Sequence, residues 1–162
     1  MTDLERCHTV ALRILNYRWN SESELRRKLL SKRFENDVID ATIGRLRDEK
    51  WLDDERFAES FVRNESLKRR GRTRITRALR AAGVDRETTD AAVRANLDPE
   101  KEIEGLRAAC AKRMRILTRR HGEAYLDTDE GRNNLTVWLL KEGYDAALVH
   151  SIVKEIRVVH DE

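Results

Sequence analysis

The sequence predicts an all-α fold of three tandem three-helix repeats stacked into an elongated, curved body, and three observations carry that expectation. One proline, Pro99, and seven glycines leave too few turn residues for a sandwich or a barrel. Apolar residues recur at helical spacing: Ile75, Ala78, Leu79 and Ala82 follow i, i+3, i+4, i+7. The same apolar register is also written three times along the 162 residues.

Residues 21–47 align without a gap on 71–97 and again on 131–157. Leu25, Ile75 and Leu135 then coincide, as do Leu29, Leu79 and Leu139, and Phe34 falls with Val84 and Tyr144. Ile43 meets Val93 and Val153, while Ala41, Ala91 and Ser151 mark a position that stays small. Each block holds an amphipathic helix, a bend and a second amphipathic helix.

The elements follow in order. A first helical stretch runs over Leu4–Arg18, and Ser21 with Glu24 forms a capping box for the next. The first bend holds Arg33 where a glycine would suit, with Glu35 or Asn36 as the following cap, so a looser or shifted bend is expected there. In the second copy Asp53 and Asp54 precede Phe57, Ala58, Phe61 and Val62, as a helix start requires, and the helix runs to Arg69. Gly83 suits the left-handed residue that ends a helix, Val84 packs back, and Asp85 caps the next helix. In the third copy Asp98-Pro99 opens a longer helix reaching about Arg120, and Gly143, Tyr144 and Asp145 repeat the bend. The repeats are expected at 1–52, 53–97 and 98–162.

Composition narrows the function. Charged residues make up 39% of the chain, yet 40% are hydrophobic, which is enough to fold. Cys7 and Cys110 form no CxxC pair and read as small buried side chains, and His8, His121, His150 and His160 lack metal-ligand spacing. No phosphate loop, dinucleotide turn or nucleophile elbow occurs, so no active site, metal or cofactor is expected. Neither a signal-peptide core nor an apolar run of roughly 20 residues is present, so a cytoplasmic protein without membrane contact is expected.

The functional signal is a run of positive charge. Arg63, Lys68, Arg69, Arg70, Arg72, Arg74, Arg77 and Arg80 face only Glu65 within eighteen residues. Arginine forks suit phosphate and carboxylate, and such density is relieved by an anionic partner. These positions break the repeat, since Arg74 aligns with Glu24 and Asn134, and Arg80 with Leu30 and Leu140. Shared architecture recurs, whereas a binding patch need not. Gly71 inside the run marks a helix start whose backbone N–H groups are candidates to assist anion binding. A secondary basic patch is expected from Arg26, Arg27 and Lys28, with Arg113, Arg115, Arg119 and Arg120 on the long third-copy helix. The bland reading, a solvated face whose arginine stems shield apolar surface, stays open. Trp19, Trp51 and Trp138 are candidates to stack on bases, although core packing is expected for Trp51 and Trp138.

Certain segments resemble the RecX family of recombinase regulators. These are Ser21-Glu22-Ser23-Glu24-Leu25 with Lys28-Leu29, then Leu52-Asp53-Asp54-Glu55-Arg56-Phe57-Ala58, then Gly71, Arg74-Ile75, Leu79 and Gly83-Val84. The third copy diverges but keeps Leu135, Leu139, Leu140 and Gly143-Tyr144. The resemblance implies a monomeric, non-enzymatic bacterial protein of the cytoplasm. It implies binding to the RecA recombinase filament on single-stranded DNA, and restraint of its ATP turnover and strand exchange, with consequences for DNA repair, homologous recombination and the SOS response. Two other readings compete. One is a DNA-binding regulator that uses a helical hairpin as a helix-turn-helix reader and acts without recombinase. The other is a plain protein adaptor, against which the repeat period argues, being longer than the roughly 34 residues of helical-hairpin adaptors.

Overall fold

The computed structural model describes residues 2–159. The described residues form nine α-helices and one 3-10 turn, with no strand. The first copy comprises α1 (Asp3–Tyr17), α2 (Glu22–Ser31) and α3 (Asn36–Asp48), and the second α4 (Asp54–Leu67), α5 (Arg72–Ala81) and α6 (Arg86–Asn96). In the third, α7 (Pro99–His121) and a 3-10 turn (Glu123–Asp127) precede α8 (Asp129–Lys141) and α9 (Ala146–Val159). His160 lies outside the described residues.

Two compact units partition the chain. Unit 1 takes in Met1–Phe61 and Ala78–Ala92; unit 2 takes in Val62–Arg77 and Val93–Glu162. In unit 1, Cys7, Ala11, Leu25, Leu29, Ile39, Ile43, Leu46 and Leu52 form one apolar core. In unit 2, the third copy packs Leu106, Leu117, Leu135, Leu139, Tyr144 and Val149 into another, against which Trp138 is half-buried. The expected register is the buried one: Leu25, Ile75 and Leu135, and Leu29, Leu79 and Leu139, are all at most 1% exposed. The position that stays small is different. Ala41, Ala91 and Ser151 are exposed, and the residue after each, Thr42, Ala92 and Ile152, carries the burial.

Helix starts follow the capping chemistry. Ser21 Oγ accepts from the Glu24 amide while the Glu24 carboxylate accepts from the Ser21 amide, which closes the box. The Asp53 carboxylate accepts from the Arg56 amide at 3.0 Å, and Asp98 caps α7 ahead of Pro99. Thr128 caps α8, so the third-copy helix begins three residues earlier in the repeat frame than α2 and α5.

The three bends share one geometry. Arg33, Gly83 and Gly143 all have positive φ, at 65°, 82° and 92°, and in each the next amide donates to the carbonyl five residues back. The looser first bend expected from Arg33 is therefore not found; Glu35 is the N-cap of α3, one of the two residues expected there, but it makes no side-chain cap bond. The reason lies in what surrounds the bends. A Cβ on Gly83 would sit 2.3 Å from Ser23 Cβ, and one on Gly143 would sit 2.3 Å from Arg74 Cβ, so both bends press on the start of the preceding copy's second helix. Arg33 is exposed, so it meets only the intrinsic cost of the left-handed conformation.

These contacts recur in register. The Glu22 amide donates to Asp54 Oδ1 at 2.8 Å, and fifty residues on the Arg72 amide donates to Glu102 Oε1 at 3.0 Å. Ser21 Oγ donates to the Ala82 carbonyl, and the Gly71 amide donates to the Glu142 carbonyl. A carboxylate from the next copy's first helix and a carbonyl from its bend thus serve the start of α2, and then of α5.

Candidate partner-binding surface

The basic run divides once its partners are known. The Arg70 and Arg74 guanidinium groups both pair with Glu142, which is 8% exposed, and the Arg74 contact is 3.0 Å. Arg72 Nε reaches Glu102 Oε2 at 3.4 Å. These three arginines clamp unit 2 to its own acids. A buried carboxylate is tolerable only with such partners, because desolvation penalises an unpaired charge heavily. The run therefore holds fewer free charges than a count against Glu65 suggests. The acids that pair with these three arginines lie 30 or more residues away in sequence.

The helix start at Gly71 is closed to anions. Its first amides are already used: Gly71 donates to the Glu142 carbonyl at 2.8 Å, Arg72 to Glu102, and Thr73 to the Gly143 carbonyl at 3.1 Å. A Cβ on Gly71 would lie 2.3 Å from the Gly143 carbonyl group, so this glycine serves backbone-to-backbone packing rather than anion capture.

Arg63 bonds Asn96 Oδ1 at 2.8 Å. Lys68 pairs with Glu65 at 2.7 Å, an exposed i,i+3 contact worth little in water. Arg69 takes the left-handed conformation, φ 58°, ending α4, and its carbonyl accepts from the Tyr144 hydroxyl at 2.6 Å. Burial, with Glu102 adding, pushes that phenol up to about 12, so it remains a donor at any physiological pH. Arg77 and Arg80 are exposed on α5.

In unit 2, Lys68, Arg69, Arg70 and Lys112 gather around a cleft of about 280 Å³ with Leu67 and Trp138. Leu67 is 82% exposed, a large apolar side chain offered to solvent. The cleft thus combines cations with apolar surface, the pairing found where macromolecular partners dock. Lys112 and Leu67 belong to the cleft but not to the principal basic patch expected from the sequence. Lys112 lies 32 residues beyond Arg80, where the run ends, and Leu67 is an apolar residue at a helix end.

The secondary patch disperses. Arg26 pairs with Asp40 at 2.5 Å, Arg27 reaches the Ala81 carbonyl at 3.4 Å, and Lys28 donates to Asn20 Oδ1 at 2.7 Å. Arg113 bonds Asn134 Oδ1 at 3.0 Å and lies 5.4 Å from the Trp138 ring centroid, while Arg115, Arg119 and Arg120 are exposed. Trp51 departs from its expected core position: it is 49% exposed, and Leu52 beside it fills the core at 3%.

The remaining chemistry is quiet. His8 meets Glu49 at 2.9 Å, the His121 ring stacks on Tyr125, and His150 Nδ1 approaches the Ala146 carbonyl at 2.7 Å. Cys7 and Cys110 are buried, and desolvation raises the Cys110 thiol to about 11. Among the described residues no helix is long and apolar enough to cross a membrane.

Two family models match, described as the first and second three-helix domains of RecX, over residues 7–46 and 53–93. The regulatory protein RecX of Clostridium perfringens strain 13 is 31% identical over 151 residues, covering 93% of this chain and 68% of its own length. The chain belongs to the RecX family. The two matched RecX domains coincide with α1–α3 and α4–α6. The RecX protein of Xanthomonas axonopodis pv. citri is 42% identical over 85 residues, about half of each chain. In fold, the chain is similar to the crystal structure of RecX from Lactobacillus salivarius, with a TM-score of 0.77 at 23% identity over 96% of this chain and 97% of that one. These relatives are named regulatory proteins, and the chain shares that general regulatory class.

Proposed function

We propose that this RecX-family chain restrains the RecA recombinase on single-stranded DNA, lowering its ATP turnover and strand exchange without catalysing a reaction itself. The observation that supports this reading most is the clustering of Lys68, Arg69 and Lys112 beside exposed Leu67 in unit 2, within a chain that matches RecX relatives along 93% of its length. Cations next to apolar surface suit acidic protein and DNA phosphate together, which is what a protein-coated strand presents. The protein would act in the cytoplasm, as a monomer, on a partner already assembled on DNA.

The clamped arginines are the wrong residues to test this with, because reversing Arg70, Arg72 or Arg74 would break contacts of the fold. Changing Lys68, Arg69 and Lys112 together to Glu leaves the Glu142 and Glu102 pairs intact. In an ATP-turnover assay of RecA on single-stranded DNA, the wild type is expected to slow hydrolysis and the triple variant to lose most of that effect. Each phosphate neutralised should add roughly 0.7 to the logarithmic salt slope of binding. Equal inhibition by both proteins would remove this face from the reading.

A further inference from the structure

Unit 1 carries an aromatic and cationic cleft that the regulatory reading does not use. Tyr17, Trp19 and Trp51 are 90%, 54% and 49% exposed, and all three line one cleft of about 420 Å³ with Arg18, Lys50 and Arg56. Scattered exposed hydrophobics are ordinary on a protein surface, but three aromatics around one cleft are not scattered.

The fold does not require these rings to be here. Tyr17 is the last residue of α1, beyond the buried Cys7 and Ala11 that anchor that helix. Lys50 takes the left-handed conformation, φ 62°, that ends α3, and the Trp51 amide closes the motif on the Leu46 carbonyl at 2.9 Å. The apolar residue that such a motif turns back into the core is Leu52, so Trp51 is left in solvent. Trp19 follows α1 and has the Arg56 guanidinium 5.4 Å from its ring centroid. Asp53 also lines the cleft, but its carboxylate is engaged in capping α4. Arg18 holds Glu24 at 3.2 Å, while the Arg56 and Lys50 side chains have no carboxylate partner among the described ion pairs of the cleft.

Exposed rings interleaved with cations suit a polyanion that also offers flat apolar faces. A single strand of DNA is such a ligand: its unpaired bases stack on aromatic side chains while arginine and lysine follow the phosphates. A duplex hides its bases, and an acidic peptide offers the charge without regular flat faces. We infer that the cleft of Tyr17, Trp19 and Trp51 is a base-stacking site for single-stranded DNA, with Lys50 and Arg56 positioned for the adjoining phosphates. This contact needs no recombinase and is separate from the unit 2 face.

The test measures anisotropy of a fluorescein-labelled oligothymidylate, together with tryptophan fluorescence, without recombinase. The wild type is expected to bind the single strand, with quenching of tryptophan emission, and to bind a duplex of equal length more weakly. Trp51→Ala and Trp19→Ala should each weaken binding about tenfold, in line with measured base–aromatic stacking, at unchanged melting temperature because both rings are exposed. Trp51→Phe should retain most of the affinity. The assignment is overturned by absence of quenching, by equal binding of duplex, by a polyglutamate competitor displacing the strand at matched charge, or by wild-type affinity in both alanine variants. None of these results bears on the recombinase assay, so failure of the cleft and failure of the regulatory reading are told apart.

Discussion

Alanine at Gly143 should lower the unfolding free energy by about 3 kcal/mol or more, because steric overlap and left-handed backbone strain act together. The added Cβ would stand 2.3 Å from Arg74 Cβ and 2.4 Å from its amide nitrogen, at φ 92°. The neighbour that must yield includes backbone at the start of α5, whose Thr73 amide is bonded to the Gly143 carbonyl. Two other substitutions act as controls. Arg33→Gly releases the same strain at an exposed bend and should gain up to about 1 kcal/mol, the strain relieved less the entropy of glycine. Gly44→Ala, within α3 and with nothing within 4 Å of the new methyl group, should gain about 0.5–1 kcal/mol. Urea midpoints of the three variants check the ranking. A Gly143→Ala protein as stable as wild type would show that the bend does not press on α5.

Removing both arginines from Glu142 is the second large effect. The Glu142 side chain is 11% exposed and the Arg70 and Arg74 side chains are 29% and 41% exposed, so the clamp is buried on the acid's side and wet on the other. Arg70→Ala with Arg74→Ala leaves that acid without a cation, and breaking a buried pair in this way costs roughly 3–5 kcal/mol at full burial. With the arginines partly solvated, about 2–3 kcal/mol is expected. Glu142→Gln, which keeps the shape and part of the hydrogen bonding, should cost about 1 kcal/mol. Denaturant unfolding of both proteins decides the matter. A double variant within 0.5 kcal/mol of wild type, the range of an ordinary surface change, would mean that Glu142 finds other partners.

How much of this is legible in the sequence depends on whether the cause is local. Helix spacing and caps are local, and so Leu25, Ile75 and Leu135 and the Ser21 capping box fall where periodicity and side-chain chemistry place them. Arg33 is misleading because a glycine at a bend reads as a backbone preference. In Gly83 and Gly143 it also makes room for the preceding copy, a demand that arises only once the copies stack. The basic run is misleading for the same reason: Glu142 sits about seventy residues beyond Arg70 and Arg74, and no local pattern pairs them. Trp51 reads as core from its composition, yet Leu52 takes that place by one step of the chain. The Tyr17, Trp19 and Trp51 cleft needs α1 and the end of α3 side by side, which spacing alone does not supply. Within the basic run, the surface offered to a partner is what remains after the fold has used its own charges.

Filament length is the direct readout of whether this RecX-family chain acts on a recombinase filament. RecA assembled on long single-stranded DNA would be imaged by electron microscopy with and without the protein, added before ATP-driven growth is complete. Shorter filaments are expected at protein amounts below one per recombinase subunit, with recovery of length for the Lys68, Arg69 and Lys112 triple Glu variant. Filaments of unchanged length and growth rate at saturating protein would contradict action on the filament.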